Sequence, residues 1–226
     1  MTKITWLGQA GLLFENGGFR LMIDPYLSDS CGKINPKSHR RVPVDETYLA
    51  MQPDMILCTH NHMDHTDPET LTVFLHRDPP LTLLAPGTAW SKAREFGGAH
   101  NYVQFNRHTQ WTQGPFRLTA VRAEHSDPDA IGVIIEDGEK RYYVTGDTLY
   151  NTDVLADVSG AVDVVFLPVN GVGNNMNMTD AARFAAAVGA KRTVPLHIGL
   201  FDGLSAADFD CPNKVVPVFF KEIRLD

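Results

Sequence analysis

Residues 59–65 read Thr-His-Asn-His-Met-Asp-His, which places three imidazoles and a carboxylate within six positions. His60 and His62 are two apart at the end of a predicted strand, Met55–Thr59, so they aim along one side of the turn that follows. Asp64 and His65 come round as the chain heads for a helix at Asp67. Imidazole and carboxylate at this density suit zinc, manganese or iron. As mere packing they would carry a desolvation cost with nothing to offset it. Three further residues turn the motif into a site. His125, Asp147 and His197 each follow the C-terminal end of a predicted strand, where loops from several strands converge. Together the seven side chains suffice for two metal ions that share one carboxylate.

The elements that position them are mostly strands. Ile4–Leu7, Leu12–Glu15 and Phe19–Asp24 predict a meander turned at Asn16-Gly17-Gly18. Met55–Thr59 and Leu81–Ala85 are continuous apolar runs of buried-strand type. Phe116–Ala123, Gly132–Glu136 and Lys140–Thr145 follow, the last two joined by Asp137-Gly138; Val162–Val169, Thr193–His197 and Val215–Phe220 complete the strands. Asp67-Pro68-Glu69 reads as a helix start. Thr88 is expected to cap a helix that stops at Gly97-Gly98, and Thr179 one that ends at Gly189. Strands in two groups imply two sheets covered by helices in a single α/β domain over 1–226, rather than one doubly wound sheet.

The 28–43 segment carries Lys33, Lys37, Arg40 and Arg41 among Gly32, Pro36 and Pro43. A basic lid of this kind would offer positive charge to an anionic substrate, with Lys33, Arg40 and Arg41 as contacts and His39 nearby. Asn174, Asn175 and Asn177 form a polar loop expected to hydrogen-bond substrate. The same loop's Gly171-Val-Gly173 lacks the third glycine of a dinucleotide fingerprint. His39, His76, His100 and His108 have no ligand spacing. No G-x-S-x-G is present, and Cys58 on its strand is expected to face the core.

Composition narrows the partners. The chain has 226 residues, 20 Lys+Arg against 27 Asp+Glu, and a formal charge of −7. That balance argues against a nucleic-acid or anionic-membrane surface. No apolar run approaches the roughly eighteen residues of a membrane span. Three cysteines without a framework spacing and no predicted leader favour a cytoplasmic, reducing setting. Oligomeric state is not legible here, and a homo-oligomer is compatible with everything above.

The pattern HxHxDH, then His125, then Gly146-Asp147-Thr148, then His197 resembles the metallo-β-lactamase superfamily. The likeness runs from Trp6-Leu-Gly-Gln-Ala-Gly through Ile23-Asp24-Pro25-Tyr26-Leu27 to Pro195-Leu-His-Ile-Gly, and its details are similar to the L-ascorbate-6-phosphate lactonase-like branch. The resemblance implies a four-layer αββα sandwich and one or two divalent ions, Zn²⁺ or Mn²⁺ first, with Fe²⁺ and Ni²⁺ as alternatives. It implies His60, His62 and His125 at the first ion, with Asp64, His65 and His197 at the second. Asp147 would bridge them, and Asp24 would orient the cluster. It further implies hydrolysis of a small, anionic ester, lactone or phosphoester by a metal-bound hydroxide, with Asp64 and Asp147 as the catalytic carboxylates. A ligand-sensing module without turnover, or a phosphodiesterase or nuclease on the same ligand frame, are the alternatives. One departure is plain: many members carry Gly-His-Ala where this chain has Gly8-Gln9-Ala10.

Overall fold

Apolar runs of strand length dominate both halves of the chain, and each half builds one sheet. In the computed structural model, which describes residues 1–225, β1 (Lys3–Gly8), β2 (Gly11–Asn16) and β3 (Phe19–Ile23) form the expected antiparallel meander. Its turn places Gly17 and Gly18 at φ +59° and +86°, a conformation glycine adopts without steric cost. Then β4 (Met55–Leu57), β5 (Thr82–Ala85) and β6 (Asn101–Gln104) add in parallel beside β3. The second sheet repeats this plan. β7 (Gln110–Gln113), β8 (Phe116–Arg122), β9 (Ile131–Glu136) and β10 (Arg141–Val144) are antiparallel neighbours. β11 (Val164–Pro168) and β12 (Arg192–Leu196) then extend β10 in parallel.

The sheets face each other across one apolar layer. Phe14 sits at its centre, with ring centroids 6.2 Å from Phe116, 5.5 Å from Tyr142 and 6.0 Å from Phe166 in edge-on geometry. Helices cover the outer faces. α3 (Pro68–Leu75) and α4 (Gly87–Glu95) bury Leu71, Phe74, Ala89 and Ala93 against the first sheet. α5 (Thr152–Asp157) and α6 (Met178–Val188) bury Val154, Ala181 and Phe184 against the second. The result is the expected αββα sandwich. Two short helices, α1 (Ser30–Ile34) and α2 (Glu46–Ala50), lie in the connection from β3 to β4.

Several boundaries differ from the sequence expectation. β6 and β7 were not foreseen, because Asn-Tyr-Val-Gln and Gln-Trp-Thr-Gln are mostly polar and only half-buried. Val215–Phe220 is not a strand. Pro217 lacks a ladder donor, and the segment straddles two sheet edges instead: Val215 N donates to Thr193 O, whereas Phe220 N donates to Trp6 O. Phe219 stacks on Trp6 at 4.1 Å. α4 starts one residue before Thr88, after Pro86, and α6 is capped by Asn177 rather than Thr179. Asp67 does cap α3, and Gly189 ends α6 in the left-handed conformation.

Within the first sheet β3 and β4 are parallel, and within the second β8, β10, β11 and β12 share one sense. The segments that follow β3, β4, β8, β10 and β12 meet at one rim, the usual location of sites in sheets of this kind. No helix among the described residues is long and apolar enough to cross a membrane.

Candidate metal centre

Asp24, immediately after β3, organises the first part of the rim. It is fully buried, and its carboxylate accepts from Thr59 N at 2.7 Å, from Thr59 Oγ1 at 2.6 Å and from His65 Nδ1 at 2.7 Å. The Thr59 hydroxyl, having donated to Asp24, accepts from His60 Nδ1 at 3.1 Å. One carboxylate thus sets the ring orientation of two histidines and leaves the Nε2 of each facing inward.

His62 and His125 meet across the two sheets. His62 Nδ1 lies 3.2 Å from His125 Nε2, and His125 Nδ1 donates to Asn174 O at 3.3 Å. Asp127, buried beneath them, accepts from Asn61 N at 2.9 Å and from the Thr88 hydroxyl. It fastens the turn that carries His60 and His62 to the loop that carries His125.

Asp147, Asp64 and His197 close the group. Asp147 Oδ2 is 3.1 Å from His197 Nε2 and accepts from Asn175 Nδ2 at 2.8 Å, while its Oδ1 lies 3.3 Å from His65 Nε2. Asp64 Oδ2 lies 3.3 Å from His197 Nε2 and accepts from Gln9 Nε2 at 3.0 Å. Gln9, Asp24 and His197 hold φ of +50°, +44° and +63°, strained backbone for side chains of their kind. All three line this one centre. Strain concentrated there is held by the bonds just described.

The charges sort into two sets. Burial pushes the His60 imidazolium well below the ordinary histidine range, aided by His65, and burial also lowers His125. For His65 burial acts downward too, but Asp147, Asp24 and Asp64 outweigh it and leave the ring well above that range. For His197 burial is likewise outweighed, by Asp147 and Asp64, and its pKa is pushed up to about 10. Burial alone would raise Asp64 and Asp147, yet His65 and His197 hold both below the usual carboxylate range.

This donor set fits divalent metal ions. Ligand atoms of His60, His62 and His125 lie within 4.8 Å of one another, as do those of His60, His65 and Asp147, and those of Asp64, His65 and His197. Two atoms at the centre, His60 Nε2 and Asp147 Oδ1, are buried without any hydrogen-bond partner. Orphans of that kind are costly unless something ligates them. In the metal-free chain His65 and His197 carry protons at neutral pH, and coordination through Nε2 must expel them. Zinc titrated into chelator-stripped protein at pH 7 should therefore release roughly two protons, and affinity should rise from pH 7 toward 10. A pH indicator in weak buffer reads this directly; zinc uptake without proton release would contradict it.

A cleft of about 370 Å³ opens over the centre, floored by Gln9, His62, Asp64, Asp147 and His197. Its lining continues through Lys37, Ser38, Cys31, Asn170, Val172, Phe201 and Asp202. The 28–43 segment does border the cleft, but through Lys37 rather than the basic residues expected. Lys33 points away and pairs with Glu69. Arg40 is held inward, donating to Tyr26 O at 2.7 Å with its guanidinium 5.4 Å from the Tyr26 ring centroid. Arg41 lies outside the cleft lining, its backbone tied to Leu200 O. The asparagines also take other duties: Asn175 is buried and braces Asp147, Asn177 caps α6, and Asn174 serves through its carbonyl. A hollow of about 470 Å³ beyond His125 includes Asp127 and Asp129, both already bonded to the Thr88 region. His39, His76, His100 and His108 stay outside the centre, bonded to Asp29, Phe96 O, Leu75 O and Asp157. Cys58 faces the core under α3, and all three cysteines are free thiols. Thr59, Asp127, Asn170 and Lys37 were missed as site residues. Only Lys37 had a legible signal, its charge.

Known proteins place this geometry. Residues 19–198 match the family described as Beta-lactamase superfamily domain. A UPF0173 metal-dependent hydrolase of Exiguobacterium sp. is 31% identical over 218 residues, covering 88% of this chain and 87% of that protein. A UPF0173 protein of Pyrococcus furiosus is 28% identical, covering 98% and 96%. Among solved structures, the isothiocyanate hydrolase from Delia radicum gut bacteria shares the fold with a TM-score of 0.76 at 18% identity, covering 98% of each chain. With a matching family over most of its length and a UPF0173 relative above 30% identity, the chain belongs to the metallo-β-lactamase superfamily and, within it, to the UPF0173 metal-dependent hydrolases.

Proposed function

We propose that this metal-dependent hydrolase cleaves small, anionic esters, lactones or phosphoesters, phosphorylated sugar-acid lactones among them. The observation that carries the reading is the floor of the cleft. Seven imidazole and carboxylate side chains converge there, with His60 Nε2 and Asp147 Oδ1 buried and making no hydrogen bond. Such a set would hold divalent cations, whose chemistry when bound would be to make a nucleophile of water at neutral pH and to polarise the scissile oxygen. His60, His62 and His125 would hold one cation and Asp64, His65 and His197 the other, with Asp147 between them. The chain's own residues do the rest. Asp64 is the more open of the two carboxylates, with 17% of its side chain exposed against 5% for Asp147. It faces the cleft and takes the proton of the attacking water, while Gln9 holds its Oδ2 in place. Lys37 on the lining supplies a cationic side chain suited to a carboxylate or phosphate on the substrate. Val172 and Phe201 add apolar surface to the same lining. The free thiols fit a cytoplasmic, reducing setting.

The test is a panel of lactone, carboxylester, phosphodiester and thioester reporters with Zn²⁺, Mn²⁺ or no added metal. Carboxylate-bearing esters and lactones should respond to metal. His60→Ala should lose both a bound ion and the activity. Uniform silence at saturating metal, or full activity in His60→Ala, would overturn the reading.

A further inference from the structure

The His197 imidazole faces two side-chain amides, and only one of them can satisfy it. His197 Nε2 points at the carboxylates, 3.1 Å from Asp147 Oδ2 and 3.3 Å from Asp64 Oδ2. To hold a cation through Nε2 the ring must be neutral and carry its proton on Nδ1, and that N–H then needs an acceptor. Nδ1 lies 3.1 Å from Gln9 Nε2 and 3.0 Å from Asn170 Nδ2, so one of the two amides must turn to present its oxygen.

Gln9 is not free to turn its oxygen toward the ring. Its nitrogen donates to Asp64 Oδ2 at 3.0 Å, and an ionised carboxylate can only accept. Reversing that amide would set two oxygens against each other beside the centre. What Gln9 does give His197 is backbone anchorage: Gln9 O accepts from His197 N at 2.9 Å and from Trp6 Nε1 at 2.9 Å. Asn170 is held less firmly. Its Oδ1 accepts from Val172 N at a long 3.4 Å, and turning the amide toward His197 gives up that one weak contact. The two ends of an asparagine amide have the same shape, so its bonding partners decide which end faces which group.

We infer that Asn170 is the positioning residue of His197: its Oδ1 accepts the Nδ1 proton, and so directs Nε2 to the metal. The duties divide, with Gln9 fixing Asp64 and the His197 backbone, and Asn170 fixing the tautomer and rotation of the ring. Asn170 is suited to this because it lies two residues past the β11 end and is bridged to Asn177 at the start of α6. The assignment rests on the metal-binding reading above, and its test separates the two.

Zinc is the probe, bound to the full chain in wild-type, Asn170→Leu and Asn170→Asp forms. Zinc affinity and stoichiometry are read by chelator competition, and the His197 tautomer by long-range proton–nitrogen NMR of the zinc-loaded protein. Asn170→Leu is expected to weaken one zinc by about 10–100-fold and to lose the protected His197 Nδ1–H signal. Asn170→Asp retains an acceptor, and should bind zinc within about threefold of wild type or tighter, with the signal present. Thermal unfolding of the metal-free forms separates loss of fold from loss of the ligand, and the Asp form carries the decision if the Leu form does not fold. Wild-type zinc binding in a folded Asn170→Leu, or an Asp form lacking the Nδ1–H signal, would overturn the assignment alone. A wild-type protein that binds no zinc would overturn the metal reading itself, and this one with it.

Discussion

Asp147→Asn is expected to fold and to lose about 10³-fold in turnover, equivalent to about 4 kcal/mol of transition-state stabilisation. The shape is preserved, and one oxygen can still accept from Asn175 Nδ2, now 2.8 Å from Oδ2. What disappears is the charge that both His65 and His197 face, at 3.3 and 3.1 Å. An amide has one acceptor end, so the orphaned Oδ1 position can no longer ligate while Oδ2 is braced. The variant should also bind metal more weakly, and the proton release on zinc binding should fall, because neither imidazole retains its main counter-charge. The turn that presents Asp147 is equally constrained. Gly146 has φ +60°, and a Cβ there would stand 2.7 Å from Ile131 O. Steady-state kinetics with any metal-responsive reporter checks the prediction; turnover within tenfold of wild type would refute a metal-bridging role for Asp147.

The seven candidate ligand side chains that the structure brings together were legible because each combines a metal-binding side chain with a strand end, two signals that sequence carries together. His60, His62, Asp64 and His65 are close in the chain, and His125, Asp147 and His197 follow apolar runs that can only be buried strands. Asp24 was legible through its Ile-Asp-Pro setting. What supports the ligands was not. Asp127 reaches Asn61 from 66 residues away, and Thr59 reaches Asp24 from 35. Nothing local marks either pairing. The basic segment shows the same limit for charge. Lys33 and Lys37 are four residues apart, yet Glu69 captures the first and the cleft receives the second. Direction of a long side chain is decided by partners elsewhere in the fold, so counting charges gives the segment but not the residue. Asn174, Asn175 and Asn177 repeat the lesson. Their loop does sit at the site, but one braces a ligand, one caps a helix and one works through its backbone.

Asp24 offers the sharpest separation of folding from function, because two substitutions should fail differently. Asp24→Ala removes all three acceptor contacts at a position with no solvent access, leaving the Thr59 N–H, the Thr59 hydroxyl and the His65 ring to find partners they do not have. Each buried donor so stranded costs about 1–3 kcal/mol. Alanine is also less tolerant than Asp or Asn of a φ of +44°. A loss of about 3–5 kcal/mol in unfolding free energy is expected, enough to leave little folded protein if the parent is ordinarily stable. Asp24→Asn should keep most of the fold, since its oxygen can take the Thr59 N–H and it suits the left-handed backbone. Its amide nitrogen would then face His65 Nδ1. That nitrogen can only donate, so Nδ1 must accept and the ring proton moves to Nε2, the atom that should hold metal. The expected result is a cooperative unfolding transition near that of wild type, combined with about 10–100-fold weaker metal binding at the site His65 shares with Asp64 and His197. Denaturant melts and zinc titrations on the two variants distinguish the outcomes. An Asn variant that binds both metals as tightly as wild type would show that Asp24 braces the strand end without setting the histidine.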